Sequence, residues 1–168
     1  MKRILVAGIG NIFFGDDAFG CEVANQLARR PLPEGVRVTD FGIRSYDLAY
    51  AMMDNYDAVI LVDATPYGAE PGTLCVIEPD LKKLDELPEG SVNAHGMNPV
   101  RVLQLVRSLG GTPGWLRVVG CEPAVLELDD GAMGLSEKVK AAVTPAIEMI
   151  EGLIREILQE RETPVATE

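Results

Sequence analysis

Six residues with side chains able to hold a cation or move a proton fall where a fold could gather them. Asp16 and Asp17 lie in "GIGNIFFGDDAFG" (residues 8–20), Asp40 closes "VRVTD", Asp63 closes "ILVD" and Glu122 follows "VVGC". His95, the only histidine, sits in the glycine-flanked stretch "AHGM". Two carboxylates and one imidazole form a donor set suited to a divalent ion such as nickel, zinc or iron. Singly, each residue has a plainer use. Asp17 can cap a helix, Asp63 can serve a turn, and a loop histidine can simply face water. Cys121 can be read as a thiol nucleophile or as a small buried hydrophobe.

The loop carrying Asp16 and Asp17 poses a chemical question. A glycine-rich loop between a strand and a helix usually cradles phosphate, because the helix start presents free N–H groups and partial positive charge. Two aspartates would repel that anion. The dinucleotide fingerprint G-x-G-x-x-G fails, since Phe13 stands at the third glycine position. No Gly-Lys-Ser/Thr and no G-x-S-x-G occurs, which removes the P-loop and the serine-hydrolase elbow. A phosphoacceptor receiver also pairs acids after its first and third strands, but it needs a lysine after the fifth; here the chain offers Cys121-Glu122-Pro123. What raises the metal reading is the placement of these acids with Asp63 and His95 along one edge.

Positioning these residues requires an alternation of strands and helices. Buried strands are expected at 3–9, 36–42, 57–64, 72–79 and 115–123, the third almost wholly apolar, as a strand covered on both faces should be. Helices are expected at 17–30, at 45–54 with Ser45 as N-cap, at 98–110 and at 136–161. The third helix is well punctuated, with Asn98 as cap, Pro99 at its first position and Gly110 past its end. Pro145 removes a backbone donor from the last helix and should kink it. A charged connector at 80–90 and a loop at 91–97 precede the third helix. The pattern predicts a three-layer α/β/α sandwich with a mostly parallel, about five-stranded twisted sheet. Residues 1–158 form one domain in this reading, with 159–168 as a disordered tail. Ligands of open α/β sheets bind beyond the carboxyl ends of the strands, which is where the five acids and His95 fall.

Composition narrows the function classes. The chain has 168 residues and a net charge of −11, from 26 acidic and 15 basic side chains. Nucleic acids and anionic membrane surfaces need basic patches, so neither is expected as a partner. Three cysteines without a C-x-x-C argue against a disulfide framework or a thiolate zinc site. No run approaches the ~18 apolar residues of a membrane span, and the expected compartment is the cytoplasm.

Taken in order, several blocks resemble the maturation endopeptidases of nickel-iron hydrogenases. "GIGNIFFGDDAFG" is similar to the family's opening G-x-G-N…D-[DE]-x-x-G, "DFG" (40–42) to its D-x-G, and "ILVDA" (60–64) to its third block. "AHGMNP" (94–99) is similar to its histidine block, and "VGCEP" followed by "LS" (135–136) to its closing pattern. The resemblance covers roughly residues 3–155. It implies a protease that removes a short C-terminal extension from the hydrogenase large-subunit precursor after nickel insertion. It places the metal-approaching acid on Asp17 rather than Asp16, the other two ligands on Asp63 and His95, and a processing role on Asp40. It also implies that the nickel is supplied by the substrate and that the protease, read as a monomer, keeps no tightly held metal of its own. A non-catalytic metal-binding or chaperone-like module recognising the same precursor is the alternative. One departure stands out: after the D-x-G, where many relatives have a small glycine-containing stretch, this chain reads "IRSYDL", with Arg44 and Ser45.

Overall fold

The computed structural model describes residues 1–82, 98–112, 114–124 and 134–160. The expected loop at 91–97 with His95, most of the charged connector, and the tail beyond 160 lie outside the described residues. Within them the order is β1 (Ile4–Ile9), a 3-10 turn (Gly15–Ala18), α1 (Phe19–Leu27), β2 (Val36–Gly42), α2 (Ser45–Met52), β3 (Ala58–Ala64), β4 (Leu74–Ile77), α3 (Pro99–Ser108), β5 (Trp115–Cys121) and α4 (Glu137–Gln159).

The sheet runs β2-β1-β3-β5-β4. The β1–β2, β1–β3 and β3–β5 pairs are parallel, and β4 alone runs against its neighbour β5. Every residue of β1 and β3 is buried, because both strands are internal and covered by helices on both faces. Alternate side chains serve opposite layers, as the two-residue period of a strand requires. Ile4, Val6, Ile60 and Val62 pack with Phe19, Val23 and Leu27 of α1 and with Val139, Val143, Ile147 and Ile150 of α4. Leu5, Ala7, Val59 and Leu61 pack with Leu48 of α2 and with Val102 and Leu103 of α3. The layered α/β expectation is met.

Local chemistry decides the element ends. The Asn98 side chain accepts the Arg101 N–H at 2.9 Å with Pro99 at the helix start, and Gly110 takes a φ of +86° just beyond the last turn, the left-handed stop that glycine adopts most cheaply. Three expectations are corrected. The first helix does not run from Asp17: residues 15–18 form a separate 3-10 turn, and α1 begins at Phe19. Ser45 is not an N-cap; it is the first helical residue, the capping position is Arg44, and no side chain bonds there. The last helix begins at Glu137 rather than Ser136, which holds the N-cap position without a side-chain capping bond. Pro145 lies inside the helix from Glu137 to Gln159.

The order β2-β1-β3 makes the chain leave β1 toward one edge and β3 toward the other. A crevice therefore opens between the carboxyl ends of β1 and β3, the switch point where ligands of such sheets bind. Glycines let α1 start directly over it. A Cβ on Gly20 would overlap the carbonyl oxygens of Val62 and Ile9, and a Cβ on Gly8 would overlap the carbonyl oxygen of Gly20. No side chain fits between helix and sheet at this point.

Candidate active site

Asp17 and Asp63 meet at this crevice. Asp63 is the penultimate residue of β3 and only 3% exposed. Its Oδ1 is buried without a hydrogen-bond partner. Burial holds the Asp63 carboxyl well above the usual carboxylate range, the nearby Asp17 charge pushes it further, and the Ala64 N–H pulls partly back. Asp17 reaches the crevice from the 3-10 turn. Burial raises its pKa as well, opposed by a backbone hydrogen bond: the Asn11 N–H donates to Asp17 Oδ2 at 2.7 Å. Burial disfavours the charged form of both acids, and one buried oxygen is left as an acceptor without a donor. A cation with an open coordination position would relieve both, so the donors present fit a divalent ion. Among the described residues no three His, Cys, Asp or Glu side chains gather closely enough to hold a metal alone. The third expected ligand, His95, lies outside the described residues.

The adjacent Asp16 has a different fate. It is fully buried and turns away from the crevice to the opposite connection: its Oδ1 accepts the Ser136 N–H at 2.7 Å, and its Oδ2 accepts the Ala124 N–H at 2.9 Å and the Ser136 hydroxyl at 2.8 Å. It clamps both ends of the segment between β5 and α4. Asp40 stays at the rim. Its Oδ1 accepts the Gly42 N–H at 2.9 Å and its Oδ2 accepts the Asn25 side-chain amide at 3.3 Å. A bulge places it there: Gly8 pairs with Asp40 and Ile9 with Gly42, leaving Phe41 as the extra residue. Glu122 is nearly buried and fastens the turn after β3, accepting the Tyr67 N–H at 2.7 Å. Of the five acids expected along the edge, Asp17 and Asp63 share the crevice, Asp40 borders it, and Asp16 and Glu122 hold connections.

Two residues at the site were not singled out from the sequence. Asn11 orients Asp17 through its backbone and folds its own loop by accepting the Phe13 N–H at 2.9 Å. Its signal was its place in "GIGN", an Asx turn waiting to be read. Asn25 reaches Asp40 from α1, and nothing in its local sequence distinguishes it from a solvated helix residue. Gly10 belongs with Asn11: at φ +141° its Cβ would collide with the Asp17 backbone oxygen.

Cys21 and Cys121 are inert by environment. All three cysteines are free. Cys121 is fully buried, and burial with the nearby Asp16 charge leaves its thiol pushed up to about 12. Cys21 donates to the Gly10 carbonyl at 3.5 Å, and burial first, then Asp40, Asp17 and Asp63, pushes its thiol up as well. Reactive thiols need the opposite surroundings, exposed and electropositive. Iodoacetamide at neutral pH is therefore expected to leave processing activity intact. Rapid inactivation that Cys121→Ser prevents would restore the thiol-nucleophile reading.

Fold and site together define an α/β protein with two neighbouring carboxyl side chains at the switch point of its sheet. The family model described as hydrogenase maturation protease matches residues 21–153. The chain is 37% identical over 155 residues to a provisionally named hydrogenase maturation protease of Methanocaldococcus jannaschii, covering 92% of this chain and 97% of that one. It is 32% identical over 156 residues to the hydrogenase 2 maturation protease of Escherichia coli (strain K12), covering 92% of each. The solved structure of the hydrogenase maturating endopeptidase HybD from E. coli superposes with a TM-score of 0.73 at 30% identity, over 92% of this chain and 93% of that one. The chain belongs to the hydrogenase maturation proteases and is a peptide-bond hydrolase.

Proposed function

We propose that this enzyme removes the C-terminal extension of a nickel-loaded hydrogenase large-subunit precursor, and that the metal arrives inside the substrate. The observation that carries the reading is Asp63: a buried carboxylate with an orphaned oxygen, beside Asp17, at the sheet's switch point. Such a pair is built to meet a cation. Asp17 and Asp63 present oxygen donors to an open position on the precursor's nickel, His95 supplies the nitrogen donor, and Asp40 lines the approach. Only ionised carboxylates donate to a metal, so the burial that disfavours their charged forms makes docking of the metal compete with protons. The scissile bond is then held against a site whose charge is balanced only when the loaded precursor is present. This links cleavage to completed nickel insertion.

The direct test is to incubate the protein with nickel-loaded and nickel-free precursor and measure the precursor's mass. Loss of the extension only from the loaded form is expected; no cleavage of either form would remove the reading. A metal owned by the enzyme would show differently. A resident catalytic ion needs three firmly oriented ligands, whereas among the described residues no three such side chains gather. Protein purified without chelator is expected to contain well under one equivalent of metal, and dialysis against chelator before assay should leave activity on preloaded precursor unchanged. A stoichiometric metal whose removal stops cleavage would assign the ion to the enzyme.

A further inference from the structure

Burial of apolar side chains drives the fold, yet five large ones stay in water on two stretches of the chain, 12–13 and 43–50. Ile12 is 47% exposed, Phe13 62%, Ile43 60%, Tyr46 62% and Tyr50 59%. Ile12 and Phe13 come from the loop after β1 and Ile43 from the turn after β2, and they line a groove of about 320 Å³. Ile43 lies two residues before the start of α2. Tyr46 and Tyr50 are four residues apart and share a helix face, while Leu48 and Ala49 of the same helix are buried. A contiguous apolar patch with a polar rim marks an interaction site, whereas scattered exposed hydrophobes do not. Aromatic side chains supply much of the binding energy at such surfaces. The same groove is walled by Gly10, Asn11 and Asp40, and the Asn11 N–H is the one that holds Asp17. It opens beside the candidate active site.

We infer that this surface, from Phe13 across Ile43 to Tyr50, docks the folded body of the large-subunit precursor, through an apolar patch on that protein ringed by basic side chains. The inference rests on the function proposed above. Charge selects this occupant over a second copy of the chain. The protein carries a net charge of −11, and the cation at the groove, Arg44, is already engaged: it donates to the Asp40 carbonyl at 2.7 Å and the Phe41 carbonyl at 3.2 Å, and pairs with Asp47 at 3.5 Å. Self-association would bring together two chains that each carry a net charge of −11, whereas a basic-rimmed partner is attracted and steered. Arg44 acts here as a brace for the turn that displays Ile43.

The test measures binding of nickel-loaded large-subunit precursor from the same organism to wild type, to the double variant Phe13→Ser/Tyr50→Ser, and to Val76→Ser. Val76 is 42% exposed on the edge strand β4, so the last variant removes a comparable apolar side chain elsewhere. Unchanged melting curves show that the exposed substitutions leave the fold intact. The double variant is expected to raise Kd at least about tenfold, Val76→Ser to leave it unchanged, and added salt to weaken wild-type binding. Wild-type cleavage with undiminished binding by the double variant would overturn the docking surface alone. So would salt-independent binding, or a wild-type dimer that the double variant dissociates. A wild type that neither binds nor cleaves the precursor would overturn the proposed function along with it.

Discussion

Asp63→Asn is expected to abolish precursor processing while making the protein more stable. The two effects have one cause. Asp63 is buried with one oxygen unpaired and Asp17 nearby, so its charge costs folding energy that a neutral amide of the same shape does not. Changes to residues that merely orient metal ligands cost about 10–100-fold; loss of a donor itself should reduce processing by more than about 100-fold. The stability gain should depend on pH. In the unfolded chain an aspartate titrates near ~3.9, and in the folded protein Asp63 holds its proton to higher pH. Between those values the folded state binds more protons than the unfolded state, so raising the pH lowers stability, and above the folded value the loss is complete and constant. Asp63→Asn has no proton to lose. Its advantage should be absent below pH ~4, grow as the pH rises through the folded value, and reach about 1 kcal/mol or more, which is ~2–4 °C in midpoint for a chain of this size. Thermal melts of both proteins across that range, alongside a mass assay of the precursor, test both parts. A variant less stable than wild type at neutral pH, or one that still processes, would contradict this account of the site. Asp17→Asn should also stop processing but with little change in stability, because Asp17 is partly exposed and its amide oxygen can still accept the Asn11 N–H.

The neighbouring acid should behave in the opposite way. Asp16→Ala is expected to cost about 3–5 kcal/mol, because hydrogen bonds to a charged group contribute about 1.5–3 kcal/mol each and the donors left behind are unpaired. That corresponds to roughly 10 °C in midpoint. At temperatures where the variant is folded, a measurable fraction of processing should survive, since Asp17 and Asp63 remain. Asp16→Asn should not rescue the loss. All three partners described for Asp16 are donors, the Ala124 N–H, the Ser136 N–H and the Ser136 hydroxyl, and an amide turns one accepting oxygen into a donor facing them. Denaturant titration of Asp16→Ala, Asp16→Asn and Ser136→Ala gives the ordering: the Ser136 variant, which removes one donor only, should be the mildest. Wild-type stability in Asp16→Ala combined with complete loss of processing would make Asp16, not Asp17, the residue that meets the substrate.

The contrast between these two adjacent aspartates shows where sequence reading is strong and where it stops. Strand positions were legible because burial writes itself into composition: "ILVA" and "AVILV" are apolar throughout, and a strand covered on both faces must be. The helix at Pro99–Ser108 was legible to its ends because capping uses residues at fixed local offsets. Local rules misled where a longer-range demand won. Asp17 looked like the start of a helix, but the approach of Gly20 to the backbone of β1 and β3 delays α1 until Phe19. Ser45 looked like a cap, but the turn after β2 is held instead by Arg44 reaching the Asp40 and Phe41 carbonyls.

By itself, then, the sequence determined the layered fold, the family, and the acids that belong near one edge of the sheet. All three depend on residue type and on spacing within a strand, a loop or a helix. Only the tertiary structure decided what each acid does there. Asp16 and Asp17 are identical in chemistry and adjacent in the chain, yet one bonds to residues more than a hundred positions away and the other faces Asp63. Adjacent residues in a tight 3-10 turn point in different directions. Which direction meets the β3 carboxylate and which meets the Ala124 and Ser136 amides is set by the strand order β2-β1-β3-β5-β4, a property of the assembled sheet that no single stretch of the chain contains.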